Sequence, residues 1–112
     1  MSTLEKFWFE KLRAADKYEW PKWVLKKHLF EDYREFAKGC GERYPLIDQQ
    51  LGKELHLLCP GIKSARITSS QSRYRVYLLP DLDTCRAKFE KVIGVKVDWD
   101  AGVEINEGPE ED

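Results

Sequence analysis

The chain has 112 residues, of which 42% are hydrophobic and 12% aromatic, and its formal net charge is −1. This length and composition predict a single globular domain and exclude a disordered chain. Charged residues interrupt every apolar run before it reaches the roughly 18 residues of a membrane-spanning helix, so we expect no membrane partner.

The first predicted helix begins at Ser2 or Thr3, with Glu5 in its first turn as part of a capping pattern. Its apolar residues recur at helical spacing, and they are Leu4, Phe7, Trp8 and Leu12. The pattern ends before Pro21. The following stretch "WPKWVLKK" is short and favours a brief extended segment.

Helical periodicity returns near Lys27 and predicts a second helix that ends at "GCG". Its apolar stripe consists of Leu29, Phe30, Tyr33, Phe36, Ala37 and Cys40. Asp48 is the expected N-cap of a third helix, from about Gln49 to Leu58. Its inward stripe consists of Leu51, Leu55 and Leu58, and "CPG" ends it.

The next segments, "IKSARIT" and "RYRVYLL", are rich in β-branched and aromatic residues and are separated by "SSQS". They predict a β-hairpin with a polar tip, which ends at Pro80. "DLDTCRAKFEKVIG" predicts a fourth helix, capped by Asp81 or Asp83 and stopped by Gly94. The final "VKVDWD" favours an extended segment that returns Trp99 to the core.

The predicted order is therefore helix, short strand, two helices, a β-hairpin and an added C-terminal helix. This order predicts an α+β fold of the winged helix-turn-helix type over residues 1–99, in which the third helix and the hairpin wing face a DNA groove. Residues 97–112 hold seven acids and no base. We expect residues 100–112 to form an acidic, flexible tail.

The three cysteines, Cys40, Cys59 and Cys85, are too scattered for a disulfide framework, which indicates a reducing compartment. We expect all three side chains to be buried as small hydrophobic residues. Together with the absence of a signal-peptide pattern, this favours a cytoplasmic protein. His56 and Cys59 could share a helix face, but no second pair completes a zinc site. The close acids of "DLD" and "DWD" favour capping and solvation. We expect no metal, cofactor or catalytic residue, because the chain lacks phosphate-loop, nucleophile-elbow, zinc-protease and dinucleotide motifs.

Basic residues are concentrated between Lys53 and Leu79, where five bases accompany one acid. Arg73 and Arg75 alternate, so in a strand they project from one face, and Arg66 of the preceding strand could join them. Such a face can neutralise phosphates, but the solvated side of any hairpin has the same pattern. The candidate DNA-binding residues are Gln49, Gln50, Lys53, Lys63, Arg66, Arg73 and Arg75.

The stretch from "WVLKKHLFEDYREFAKGCG" through "LGKELHLLCPGIKSARI" resembles the winged-helix domain of the RFX type. Together with "LPDLDTCRAKFEKVIGVKVDW", it is more similar to the C-terminal module of phage and plasmid primase-helicases, also described as primase-polymerases. The resemblance spans nearly the whole chain. It differs at the wing tip, where "ARITSSQSR" lacks the consecutive arginines and glycine of the RFX type.

The resemblance implies a non-enzymatic DNA-binding module of a mobile-element replication protein, whose primase and helicase motifs lie outside this chain. It implies that Arg66, Arg73 and Arg75 contact DNA, with Lys53 and Lys63 on phosphates. The partners would be DNA, single- or double-stranded, and the helicase or primase domains of the same protein in a bacterial host. The alternative is an adaptor that binds protein without DNA. It would depend on exposed aromatic side chains, with Trp20, Trp23 and Tyr77 as candidates.

Overall fold

A computed structural model describes residues 1–100, which form four helices and a three-stranded antiparallel sheet. The elements in chain order are α1 (Thr3–Ala14), β1 (Trp23–Leu25), α2 (Lys26–Gly39), α3 (Asp48–Leu58), β2 (Lys63–Ser69), β3 (Ser72–Leu78) and α4 (Leu82–Ile93). The strand order is β1-β3-β2. The predicted α+β class and element order are confirmed, and no helix in this part of the chain is long and apolar enough to cross a membrane.

The helix ends follow the predicted capping chemistry at α1 and α4. Ser2 Oγ accepts the Glu5 N–H (3.1 Å), and Glu5 Oε1 accepts the Ser2 N–H in return (2.7 Å). Asp81 accepts the Thr84 N–H at the start of α4, and Gly94 ends that helix with a φ of 75°. The left-handed conformation at this position favours glycine because it has no Cβ.

The core lies between the four helices and one face of the sheet. Its fully buried members include Trp8, Leu12, Tyr33, Leu51, Leu55 and Phe89. The predicted inward stripes of α1 and α3 are confirmed. Tyr77 and Val24 extend the core onto the sheet, where they are direct cross-strand neighbours.

Arg86 attaches α4 to the end of α1. Its guanidinium donates to the Leu12 carbonyl oxygen (2.8 Å from Nη2) and to the Ala15 carbonyl oxygen (3.3 Å). Leu12 belongs to the last turn of α1 and Ala15 is its C-cap residue, so the helix offers neither carbonyl oxygen a backbone partner. The guanidinium also lies 5.2 Å from the ring centroid of Trp99.

The prediction for the start of α3 was wrong by one residue. Ile47 is the N-cap, with φ −85° and ψ 169°, and Asp48 is already helical. The helix begins one residue earlier because the Leu51 N–H donates to the Ile47 carbonyl oxygen (2.8 Å), and Gln50 Oε1 in addition accepts the Ile47 N–H (3.1 Å).

The prediction that all three cysteines are buried was wrong for Cys40, which is exposed. Residue 40 would share the inward face with Ala37 only if α2 continued, but the helix ends at Gly39 and the chain turns away. Cys59 and Cys85 are buried as predicted, with their sulfur atoms 3.7 Å apart.

No strand forms in residues 95–100, which contradicts the predicted extended segment. Glu90 Oε2 instead accepts the Val97 N–H (2.9 Å) and the Trp99 Nε1–H (3.0 Å), which folds the segment back against α4. Trp99 packs beside Phe9 and Phe89, so its predicted return to the core is confirmed. The predicted acidic tail lies outside the described residues, apart from Asp100.

Candidate nucleic-acid interface

The three arginines of the hairpin lie on one face. Arg66 of β2 is directly opposite Arg75 of β3, and Thr68 is opposite Arg73. Since directly opposed residues share a face and alternate residues return to it, Arg66, Arg73 and Arg75 form one row. All three are exposed, and within residues 1–100 none has a carboxylate within 4.0 Å. We name this set the arginine row.

The arginine row is electrostatically unfavourable for the isolated protein. Like charges that face each other directly across two strands destabilise the pair, and Arg66 and Arg75 are such a pair. Bound phosphate groups would neutralise that repulsion, and they would form charge-assisted hydrogen bonds with the guanidinium groups. The row therefore has the chemistry of a polyanion site.

The arginine row continues the face of the sheet that packs on the core. Tyr77, two residues beyond Arg75, is only 2% exposed, whereas Arg75 and Arg73 are exposed. This face is therefore covered near Tyr77 and open to solvent towards the hairpin tip.

A groove of about 920 Å³ separates α3 from the start of the hairpin. Three of the side chains that line it are basic, Lys26, Lys53 and Arg75. The remaining lining residues are Asp48, Gln49, Gly52, His56, Leu57, Ser64 and Tyr77. Because Arg75 belongs to both features, the arginine row and this groove, which we name the basic groove, form one continuous surface.

Lys26 is a member of the basic groove that sequence reasoning missed. Its Nζ donates to Ser64 Oγ (2.9 Å) and lies 4.8 Å from the ring centroid of Tyr77. Burial lowers the pKa of Lys26, the nearby Arg75 lowers it further, and Asp48 opposes the shift. No local pattern marks this residue, because its place depends on the pairing of β1 with β3, some 50 residues away along the chain.

Close packing of α3 on β3 fixes the floor of the basic groove. A Cβ at Gly52 would lie 3.1 Å from Tyr77 Oη, so glycine permits this approach. His56 Nδ1–H donates to the Gly52 carbonyl oxygen (2.7 Å), and its ring meets Tyr77 edge-on at 6.2 Å. Burial raises the pKa of Tyr77, as does Asp48, while Arg75 opposes this.

The structure brings together five of the seven candidate residues. Gln49, Lys53 and Arg75 line the basic groove, and Arg66 and Arg73 adjoin it in the arginine row. Gln50 is instead occupied at the helix start, where its Oε1 accepts the Ile47 N–H. Lys63 lies three residues before Arg66 in β2. Because successive side chains of a strand point to opposite faces, Lys63 lies on the opposite face of the hairpin.

Two of the three aromatic side chains expected for an adaptor surface are not exposed. Tyr77 is buried, and Trp20 is partly buried with its Nε1–H donated to the Pro80 carbonyl oxygen (2.9 Å). Both side chains are covered by residues that are distant in the sequence, so the local pattern does not reveal their burial. Trp23 is exposed at 45%.

The pair His56 and Cys59 does not assemble a metal site in the described part of the chain. Cys59 contacts Cys85, and no group of three potential metal ligands forms within residues 1–100. Hydrogen bonding between the two thiols lowers the pKa of Cys59 and raises that of Cys85.

No protein-family model, curated protein or solved structure matches this chain.

Proposed function

We propose that the chain is a winged-helix module that binds DNA, with α3 as the presented helix and β2–β3 as the wing. The observation that carries the proposal is the arginine row, three exposed guanidinium groups that have no carboxylate partner among residues 1–100 and are continuous with the basic groove along α3. The element order from α1 to β3 agrees with that of winged helices. The module itself would perform no catalysis.

The proposed mechanism is electrostatic docking. Lys26, Lys53 and the three arginines would contact phosphate groups, which supplies most of the affinity of such modules and makes it salt-dependent. Gln49 extends from the exposed side of α3 and would be available to base edges. Lys63 and Gln50, which sequence reasoning included, are left out of this contact set.

The biological setting proposed is replication of a phage or plasmid in the bacterial cytoplasm. It rests on the resemblance of Leu79 to Trp99, with the surrounding pattern, to the C-terminal module of primase-helicases. The helicase or primase domains of the same protein would then be further partners. For the second class of function, an adaptor without DNA binding, only Trp23 of the three expected aromatic side chains is exposed.

The test is a titration of fluorescently labelled single- and double-stranded DNA, followed by anisotropy at two salt concentrations. If five basic side chains contact phosphates, the slope of log affinity against log salt is about −4.5 for duplex DNA. Replacing Arg66, Arg73 and Arg75 with alanine should reduce the slope to about −1.8.

Lys63→Ala is the matched control, because it removes one base from the same hairpin but from its other face. It should leave the slope unchanged. If the chain binds neither single-stranded nor double-stranded DNA at low salt, the proposal is rejected and the adaptor function is favoured. Equal effects of Lys63→Ala and Arg66→Ala would reject the assigned face while leaving DNA binding intact.

A further inference from the structure

A second groove, of about 670 Å³, lies between α1, α2 and the segment that leads into β1. Its lining is largely aromatic and aliphatic. The apolar lining residues are Phe7, Trp8, Trp20, Val24, Leu29 and Phe36, joined by alanines, Pro21 and Leu79. An open apolar groove of this size is in the range used to bind side chains of a partner.

The rim of this groove is acidic, so we name it the acidic groove. Five acids and one base line it, Glu10, Asp16, Glu19, Asp32, Glu35 and Lys11. Lys11 is already paired with Asp32 (3.5 Å), and Glu10 is paired with Arg13. Within residues 1–100, Asp16, Glu19 and Glu35 have no basic partner within 4.0 Å.

One lining residue of this groove, Trp8, carries a hydrogen-bond donor that is buried and unpaired within residues 1–100. Trp8 is 1% exposed, yet its Nε1–H has no acceptor within the described residues. Buried indole N–H groups usually find a partner. Because this nitrogen is fully covered, an occupant of the open groove does not reach it, and the apolar lining and the charge of the rim select the occupant.

The charge of the rim selects the kind of occupant. Phosphate groups and anionic lipid surfaces would be repelled by Asp16, Glu19 and Glu35, which have no basic partner within residues 1–100, so nucleic acid and membrane do not fit here. A basic peptide with apolar side chains on one face would pair its charges with the acidic rim and its apolar side chains with the apolar lining of the groove. Of the ways in which peptides bind, β-strand addition needs an open strand edge, and the edge strand at this groove, β1, has only three residues. Two helices border the groove, which favours a helix lying in it.

We propose that the acidic groove binds a basic amphipathic helix of a partner protein. The helix would place apolar side chains at i, i+3, i+4 and i+7 spacing over Trp8 and Phe36, and its Lys and Arg residues would face Asp16, Glu19 and Glu35. This surface shares no lining residue with the basic groove and has the opposite charge. The inference is therefore independent of the proposed DNA binding.

The test uses a synthetic peptide of about 18 residues, built of leucine and lysine with leucines at helical spacing, and a matched peptide with glutamate in place of lysine. Binding to the full chain is measured by calorimetry and by NMR. The lysine peptide should bind and the glutamate peptide should not. The largest NMR shifts should occur at the indole N–H groups of Trp8 and Trp20, while that of Trp99 stays in place.

The variant Glu19→Lys/Glu35→Lys should weaken peptide binding roughly tenfold or more, because it places like charges opposite the peptide. Glu31→Lys/Glu54→Lys is the matched control, since it makes the same charge change at exposed acids that do not line the acidic groove. Circular dichroism checks that both variants are folded. Equal affinity of the two variants, binding of both peptides alike, or shifts confined to α3 would overturn the proposal. None of these outcomes depends on whether the chain binds DNA.

Discussion

Substituting Gly52 by alanine tests the contact that sets the spacing between α3 and the sheet. In an isolated helix this change stabilises by about 1 kcal/mol, because alanine loses less backbone entropy on folding. Here the new Cβ would lie 3.1 Å from Tyr77 Oη, which is closer than ordinary van der Waals contact. Overpacking of this kind costs about 1–3 kcal/mol.

The balance depends on whether Tyr77 can move away. It is 2% exposed, Lys26 Nζ lies over its ring and the His56 ring meets its edge. We therefore expect Gly52→Ala to lower the free energy of unfolding by about 0–2 kcal/mol, the helix gain being offset by the close contact.

The matched background is Tyr77→Phe, which removes the oxygen and leaves the ring. Tyr77 Oη has no hydrogen-bond partner among residues 1–100, so we expect the phenylalanine variant alone to differ little from the wild type. In that background Gly52→Ala should stabilise by about 1 kcal/mol. The difference between the two backgrounds is a coupling of about 1–3 kcal/mol, measured by urea unfolding in a double-mutant cycle.

A gain of about 1 kcal/mol in both backgrounds would refute the reasoning, because it would mean that α3 does not approach β3 at this point. The packing of α3 on Tyr77 that forms the floor of the basic groove would then also be incorrect. If DNA affinity falls in Gly52→Ala and recovers in the double variant, the same spacing also controls the proposed function.

Three further predictions concern single side chains. Arg86→Ala should lower the free energy of unfolding by about 1–3 kcal/mol, since the carbonyl oxygens of Leu12 and Ala15 lose their donor, and Arg86→Lys should fall between it and the wild type in urea unfolding. Asp81 has a lowered pKa because the Thr84 hydroxyl and N–H donate to it, so its stabilisation is present above its unfolded-state pKa and lost as pH falls through the folded value. Asp81→Asn keeps the cap but does not titrate, so its melting temperature should vary less across acid pH. Because the pKa of Lys26 is lowered, DNA affinity should begin to fall with rising pH below the ordinary lysine value of 10.5, and Lys26→Arg should remove that early step in alkaline titrations.

The elements of this fold could be predicted from local pattern, because each carries its own periodicity and stop signal. Leu51, Leu55 and Leu58 mark the inner face of α3, and alternation in "RYRVYLL" puts Arg73 and Arg75 on one face. These are short-range relations, and for them the sequence is sufficient. The register that opposes Arg66 to Arg75 was not predicted, because it is set by a two-residue turn at Ser70 and Gln71, whereas the sequence indicated the four residues "SSQS" as the tip.

The grooves could not be predicted, because they depend on contacts between residues distant in the chain. Lys26 enters the basic groove only because β1 pairs with β3, and Trp8 and Trp20 line one groove only because α1 packs near the entry to β1. Exposure was misjudged for the same reason at Tyr77. The residues that share its face of β3, Arg75 and Arg73, are exposed, and a strand pattern alone does not reveal that α3 covers Tyr77.

The stretch "CRAKFE", on which the resemblance to primase-helicases depends, contacts the protein core and does not line either groove. In "CRAKFE" Cys85 contacts Cys59, Arg86 binds the end of α1, and Phe89 fills the core. Glu90 then holds Trp99. The resemblance over this stretch therefore concerns the residues that attach α4 to the rest of the fold. The proposed DNA contacts lie elsewhere, in the arginine row and the basic groove.

The net charge of −1 is uninformative about partners, because residues 1–96 carry 19 bases and 13 acids and the seven acids of residues 97–112 offset that excess. Within the described residues, charge is also distributed unevenly over the surface. The basic groove and arginine row lie on α3 and the hairpin, and the acidic groove lies between α1 and α2, with no lining residue in common. At physiological salt the Debye length is about 8 Å, so the local charge of each surface determines which charged groups it would attract. A chain of nearly zero net charge can therefore bind a polyanion on one side and a polycation on another. Charge reversal at one surface should leave binding at the other nearly unchanged.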